Sequence, residues 1–373
     1  MHVHGEAPAS PTGDNFMRVL VTGAAGFIGS HIVDALVADG HDVVAIDSLM
    51  ESVHSRTPEY LNPAADFVSA DIREVGALDR HLKGVDAISH QAAMVGLETS
   101  FADATKYVSH NGIGTAALLS SLDAAGFVGR FVLASSMVVY GEGAYECSDH
   151  GDVQVPPRRA ENLEAGEFDP RCPQCGRALR PVVVEEHRTV DPRNVYAATK
   201  LHQEQLCTVF GRARGVPVTA LRYHNVYGDR MPFNTPYAGV ASIFRSELER
   251  GEPPRVFEDG RQLRDFISVE DVARANVIAL TGSEPAEGPF NIATGEPHSV
   301  GEMATALAAA MGGAAPVVTG EWRAGDVRHV FASPRRAEKE LGWRATVPFS
   351  DGMRRFAKQK LRGSPSLTVA RDR

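Results

Sequence analysis

Tyr196 and Lys200 stand four residues apart in Tyr196-Ala-Ala-Thr-Lys200. That spacing puts a phenol and an ammonium on one face of a helix, and Asp191-Pro-Arg-Asn194 just before it is a helix-start signal. A phenol titrates near 10, too high for a base at neutral pH, but a neighbouring ammonium favours the phenolate. Ser136 closes Phe131-Val-Leu-Ala-Ser135-Ser136, which reads as a buried strand, and its hydroxyl would share the proton of a substrate hydroxyl. Such a set removes an O–H proton while hydride leaves the same carbon. Alone, Tyr-x-x-x-Lys is an ordinary surface pair. Its weight comes from the elements that precede it.

The first of these is Val19-Leu-Val-Thr-Gly23-Ala-Ala-Gly26-Phe-Ile-Gly29. A β-branched apolar run turns through three glycines into residues at helical spacing, Ile28, Ile32, Val33 and Leu36. This is a strand, a tight turn and a helix N-terminus, which suits a dinucleotide pyrophosphate. Gly23, Ala25, Gly26, Phe27 and Ile28 are its candidate contacts. Asp47 ends the next strand, near the spacing of about 20 residues at which an acid meets the adenosine ribose and repels a 2′-phosphate. NAD is therefore expected rather than NADP; an acidic loop cap is the plain alternative. Asp71 and Ile72 end a third strand and would hold the adenine edge, or cap a helix. A fourth strand runs through His90 into Gln91, Ala92 and Ala93, small enough for the cofactor to approach the backbone. His90 reads as a strand-end polar group. Asn111 opens a helical stretch, with a structural bond to a strand backbone as its simpler role. The strand–helix alternation predicts an α/β, doubly wound parallel sheet, with ligands at the carboxyl ends of its strands. A nicotinamide there would add a second positive charge beside Tyr196.

The 373 residues can bury a large core, and the net charge of −9 without a long basic run argues against nucleic acid. No apolar run is long enough for a membrane span. Residues 1–16 lack the apolar core of a signal peptide and read as a disordered tail. A cytoplasmic protein is expected.

With these residues in hand the chain resembles the extended short-chain dehydrogenase/reductase family, in its nucleotide-sugar epimerase/dehydratase group. The matching motifs are Thr22-Gly-Ala-Ala-Gly-Phe-Ile-Gly29, Ser135-Ser-Met-Val-Val-Tyr-Gly141, Tyr196-Ala-Ala-Thr-Lys200, Leu221-Arg-Tyr-His-Asn225-Val-Tyr-Gly228, Asp259-Gly-Arg-Gln-Leu-Arg264-Asp-Phe266 and Trp322-Arg323-Ala-Gly-Asp326. The resemblance implies a Rossmann domain over residues 17–225 with tightly bound NAD. It implies a smaller, mainly substrate-binding domain over 226–352 that returns segments to the sheet, then a helix end and tail over 353–373. Ser136, Tyr196 and Lys200 would be catalytic, with Tyr196, Lys200 and Tyr223 also near the nicotinamide. A nucleotide diphosphate sugar would be the partner, and a homodimer through two helices per subunit is usual in the group.

Two phosphates call for arginines, which bind them bidentately. Arg264 and Arg323 sit in matching motifs, with Ser136, Met137, Asn225 and Asp326 as further substrate contacts and Arg328 as a weaker one. Residues 231–235 and 237–244 would line the nucleotide pocket. Asp271 reads as a helix start and Ser299-Val-Gly-Glu302 as a capping box.

Between Gly141 and Tyr196 the chain is longer than the group usually is. The insertion, about 142–190, holds Cys147-Ser-Asp-His150 and Cys172-Pro-Gln-Cys175. C-x₂-H followed by C-x₂-C is the pattern of a structural zinc site with no open position. The insertion is charged and proline-rich, without an obvious core, so a metal staple makes physical sense. Free thiols or a Cys172–Cys175 disulfide are the alternatives, and His187 the alternative ligand. Cys207 reads as buried packing. The insertion would fold over the sugar pocket as a lid, or form a dimer contact.

In the group's 4,6-dehydratases an Asp-Glu pair follows the catalytic hydroxyl residue, and the decarboxylases keep a Glu. Here Met137 and Val138 stand in that stretch and transfer no protons. The chemistry left is 4-epimerisation: oxidation at C4 by bound NAD and return of hydride to the other face. Within that class the insertion makes the chain similar to bacterial dTDP-L-rhamnose 4-epimerases, with UDP-glucose or UDP-glucuronate 4-epimerase next. A keto-sugar reductase or dehydrogenase is the enzymatic alternative. A non-catalytic NAD-sensing regulator is the alternative of another class.

Overall fold

In the computed structural model the described residues are 16–54, 56–96, 101–234 and 239–363. Residues 1–15 of the expected tail, Thr235, Tyr237, and the chain after Gly363 lie outside them.

The strands predicted from their apolar runs form one parallel sheet. They are β1 (Arg18–Thr22), β2 (Asp42–Asp47), β3 (Asp66–Ser69), β4 (Ala87–His90) and β5 (Arg130–Ser136). The helix α1 (Phe27–Ala38) links the first two. A longer helical run precedes β5, as α2 (Ala104–Tyr107), a π-helical turn over Val108–Ile113, and α3 (Gly114–Ala124). The sequence reading opens this helix at Asn111; it starts earlier and widens around that residue. A single π turn inside an α-helix is frequent at functional sites.

The insertion follows β5 as β6 (Ala144–Cys147), β7 (Gly151–Val153), α4 (Ala160–Glu164) and β8 (Arg180–Val182). Its three strands pair antiparallel in the order β7-β6-β8. It has a small core after all, made of Tyr145, Cys147, Val153, Val155 and Cys172. Then come α5 (Val195–Arg214), β9 (Val218–Tyr223), β10 (Asn225–Tyr227), α6 (Val240–Glu249), β11 (Arg255–Val256), β12 (Leu263–Ser268) and α7 (Val269–Thr281). The chain ends with β13 (Gly288–Ile292), β14 (Pro297–Ser299), α8 (Val300–Met311), β15 (Val317–Val318) and α9 (Phe349–Phe356).

The seven-stranded sheet runs β13-β9-β5-β4-β1-β2-β3, parallel at each pairing. It is a Rossmann-like α/β fold. Alternation on β1 sends Val19 and Val21 to the core under α1 and α7, and Leu20 to the core under α3 and α5. Both faces are covered, which is why its strands read as continuous apolar runs. A third core gathers Phe244, Phe266, Met303, Leu307 and Phe356 around α6, α8 and α9. Ser299 and Glu302 close the expected capping box on α8. Asp271 is buried in the first turn of α7 and accepts from the Thr346 and Val347 amides, so it ties the C-terminal segment down.

Candidate functional site

The glycine turn leaves no room for side chains. Gly23 has φ +67°, and a Cβ there would lie 2.7 Å from the Ala92 amide nitrogen. A Cβ on Gly29 would lie 2.1 Å from the Gly23 carbonyl oxygen. Gly26 is the N-cap of α1, with no side-chain cap and no acid in the first turn. Within the turn the amides of Ala24 and Gly26 are taken by the carbonyls of Ile46 and Gly23, so what it offers a pyrophosphate is the uncapped, positive N-terminal end of α1 that follows. Asp47 accepts from the amides of Ala25 (3.0 Å) and Leu49 (2.8 Å), so it braces the turn at the end of β2, where a ribose would meet it. Phe27 and Ile28 open α1 beside it. These residues fit NAD.

The other expected cofactor contacts are more committed. Arg73 holds Asp71 through its backbone and guanidinium, and keeps that carboxyl below its ordinary range. Ile72 is buried in the core. Gln91 donates to Ser89 and Asn276 and accepts from the Tyr223 hydroxyl at 3.1 Å. Ala92 donates to Thr22 Oγ1, and Ala93 follows it in the same irregular stretch. Asn111 accepts from the Met94 amide (2.7 Å) and donates to the Met94 carbonyl and Thr199 (2.9 Å). It fixes the stretch after β4 against α5, the structural role weighed above. His90 is fully buried between Thr22 (2.8 Å) and Thr115 (2.9 Å), and burial pushes it down to about 3, so it is a neutral strut.

At the end of β5 the two serines part ways. Ser135 donates to Glu204 of α5, while Ser136 hydrogen-bonds to the Tyr196 hydroxyl. Asn194 caps α5 by accepting from the Ala197 amide at 2.8 Å, which sets where Tyr196 enters the helix. Lys200, one turn on, is buried and donates to the Ala134 carbonyl at 2.8 Å. Burial pushes Tyr196 up to about 12, with the Ser136 bond pulling the other way, and pushes Lys200 down to about 8. Lys200 is therefore still an ammonium at pH 7.

Beneath this set lies a network that the sequence reading missed. Arg222 on β9 makes two bonds to Glu204 (2.9 and 2.8 Å) and one to the Tyr140 hydroxyl (2.9 Å). Tyr140 in turn donates to Asn291 at 2.7 Å. A charged residue inside the apolar strand Val218–Tyr223 was the available signal.

The expected substrate residues follow on β10, β12 and the 320s. Met137 is partly buried in the short helical turn after β5, next to Ser136. Asn225 is partly buried and its Oδ1 has no partner among the described residues. His224, before it, is buried beside Asn291, pushed down to about 3, and neither ring nitrogen has a well-formed hydrogen bond among the described residues. Arg264 donates to the carbonyls of Leu263 (2.8 Å), Arg328 (2.9 Å) and Val327 (2.6 Å), which shapes a loop and leaves part of its fork over. Arg323 is exposed and stacks on Phe257, 4.8 Å from the ring centre. Asp326 lies in the field of Arg264, Arg323 and Arg158. Arg158, from the insertion, was not foreseen. Arg328 is fully buried and bound to Asp169, Glu258 and Asp259, so no donor pair is left for a phosphate. The four expected metal ligands, Cys147, His150, Cys172 and Cys175, come together with their donor atoms within 4.8 Å. His187 is exposed and pairs with Glu185.

The family model described as "NAD dependent epimerase/dehydratase family" matches residues 19–173 and 175–293. A dTDP-L-rhamnose 4-epimerase of Burkholderia thailandensis is 34% identical over 333 residues, 88% of this chain and 90% of that protein. The structure of a UDP-glucose 4-epimerase of Thermus thermophilus in complex with NAD is similar with a TM-score of 0.74 at 31% identity, over 91% of this chain and 98% of that one. A UDP-glucuronic acid 4-epimerase of Bacillus cereus, in complex with UDP-glucuronic acid and NAD, has a TM-score of 0.74 at 27% identity, with the same coverage of 91% and 98%.

Proposed function

The chain belongs to the NAD dependent epimerase/dehydratase family and is an NAD-dependent sugar-nucleotide epimerase, and from that premise we propose that it inverts C4 of dTDP-L-rhamnose. The observation that carries the 4-epimerase reading is the set Ser136, Tyr196 and Lys200 with Met137 and Val138 beside it. Those two side chains move no protons, so elimination and decarboxylation have no second acid or base there. NAD, when bound, supplies the hydride acceptor and donor at C4 and a positive ring beside the phenol. Tyr196 takes the C4 hydroxyl proton and gives it back. Ser136 hydrogen-bonds the phenol and shares that proton. Lys200 places its charge one helical turn away and favours the phenolate. Arg323, Asn225 and the free part of Arg264 are the proposed diphosphate contacts, and they tether the nucleotide while the sugar turns over.

The relative from Burkholderia supports dTDP-L-rhamnose, and the structural likeness to UDP-sugar enzymes supports UDP-glucose or UDP-glucuronate as a second reading. A panel of dTDP- and UDP-sugars, with products separated by chromatography, decides between them. A C4 epimer with no net NADH is expected. A 4-keto-6-deoxy product, or NADH formed in step with product, would refute the 4-epimerase.

Zinc at Cys147, His150, Cys172 and Cys175 belongs to the same proposal, far from any proton-transfer role. So does a homodimer in the cytoplasm. Val108 and Ile113 on the π turn and Val209 on α5 are exposed, and these helices lie side by side, which supports a helical interface. No helix among the described residues is long and apolar enough to cross a membrane.

A further inference from the structure

The insertion has two ends of interest, the Cys/His knuckle and the arms that leave it. At the knuckle, Cys147 Sγ is 3.6 Å from Cys175 Sγ, and His150 Nδ1 is 3.5 Å from the sulfurs of both Cys147 and Cys172. A disulfide needs about 2.05 Å between sulfurs. Ligands of one tetrahedral zinc, with Zn–S about 2.3 Å and Zn–N about 2.0 Å, stand about 3.8 Å apart sulfur to sulfur and about 3.5 Å sulfur to nitrogen. The spacings are those of a ligand shell. Backbone amides also turn to the sulfurs: Asp149 and His150 to Cys147, Gln174 and Cys175 to Cys172, Arg177 to Cys175. Such N–H···S bonds orient thiolates around a metal.

The arms reach residues 326–333. Asp169, three residues before Cys172, binds Arg328 Nε at 2.7 Å, and the Phe168 ring lies under the same guanidinium. Arg158 donates to Glu258 (2.7 Å) and to the Asp326 carbonyl (2.7 Å), and that ion pair is buried on both sides. Glu142, at the root of β6, accepts from the Arg328 amide. After β8, Val184 bridges to Ala332. From the other side Arg264 holds the carbonyls of Val327 and Arg328. The segment that follows Arg323 and bears Asp326 is thus gripped between the insertion and β12.

We propose that zinc at the knuckle sets how tightly the enzyme holds its nucleotide sugar, by keeping the insertion closed on residues 326–333. This rests on the zinc and the nucleotide-sugar site proposed above. The insertion's own apolar core is only a few side chains, so the metal supplies most of what fixes the Cys172 loop, and with it Asp169 and Phe168. The metal touches no reacting atom. Its loss acts on binding and leaves proton transfer at Tyr196 alone.

The test uses the full chain purified with its NAD. Metal content is measured per chain, with cobalt exchange giving the absorption of a thiolate-bound tetrahedral site. Binding of dTDP and of UDP is measured by calorimetry before and after chelation, and in Cys172→Ser. About one zinc per chain is expected. Its removal should weaken binding of the preferred nucleotide about fivefold or more, the usual size of a coupling between sites, while bound NAD stays constant. Asp169→Asn keeps all four ligands and an exposed position, so it folds whether or not Cys172→Ser does. It should weaken nucleotide binding with zinc still in place. Substoichiometric zinc, unchanged by Cys172→Ser, would refute the ion itself. Full zinc whose removal leaves nucleotide affinity unchanged would refute the coupling and leave a plain staple. Unchanged affinity in Asp169→Asn would equally break the proposed route.

Discussion

Lys200 costs the fold what it contributes to the chemistry, and the cost can be read from its burial. Its ammonium is enclosed, donates to the Ala134 carbonyl, and is pushed from 10.5 down to about 8. Each pKa unit is worth about 1.4 kcal/mol, so holding the charge inside costs about 3 kcal/mol at pH 7. Lys200→Met removes that charge, keeps most of the volume, and is expected to stabilise the protein by about 2–3 kcal/mol at pH 7. The sign with pH follows from linkage. Between about 8 and 10.5 the folded chain has released the Lys200 proton and the unfolded chain still holds it. Wild-type stability therefore rises across that window, whereas the variant lacks the slope. The gain of Lys200→Met should shrink toward zero by about pH 10.5. Urea unfolding of both proteins, stripped of NAD, at pH 7, 8.5 and 10 measures it. The same variant should lose about 10²–10⁴ in turnover, the range of a general acid–base contribution. A variant less stable than wild type at pH 7, or a gain independent of pH, would show that Lys200 is not held at a desolvation cost.

Gly29→Ala puts a methyl group 2.1 Å from the Gly23 carbonyl, so it should purify without NAD while keeping its helical content, as nucleotide extraction and circular dichroism would show. Glu204→Gln leaves the buried Arg222 charge uncompensated and should destabilise by about 3–5 kcal/mol in urea unfolding; a loss under about 1 kcal/mol would mean that Tyr140 and Asn291 satisfy Arg222 alone. His90, His224 and His329 are held neutral, at about 3, 3 and 4, so their contribution is present above pH 6.5 and is lost as pH falls below it. Three protons taken up only on unfolding give a slope of about 4 kcal/mol per pH unit in that window. Acid titration of His90→Asn should show a shallower slope.

Strand and helix placement was legible because it rests on local patterns. The apolar runs of β1, β2 and β5 fall where their β-branched residues begin and end, and the Asn194 cap was visible as a start signal. The site was legible only in part, because residue type gives no account of partners. Asp47, Asn111 and Arg264 have the right chemistry for ligands and spend much or all of it on backbone groups of this chain. Arg158 was invisible because its partners, Glu258 and Asp326, are far away in sequence and meet it only after the insertion folds. The Glu204–Arg222 pair needed the sheet order, since only the pairing of β5 with β9 brings Ser135 opposite Arg222.

Ser135 and Ser136 are the same amino acid with different duties, and only the pleat of β5 decides which has which. Sliding β5 by one residue would offer the phenol a serine of correct chemistry and would turn the other away from Glu204. The error would be silent at the reacting hydroxyl and loud in the core, where Glu204, already bound to Arg222, would lose its serine donor. The buried ion pair thus works as a proofreader of alignment. It penalises a mis-threaded strand that the active-site residues themselves would accept.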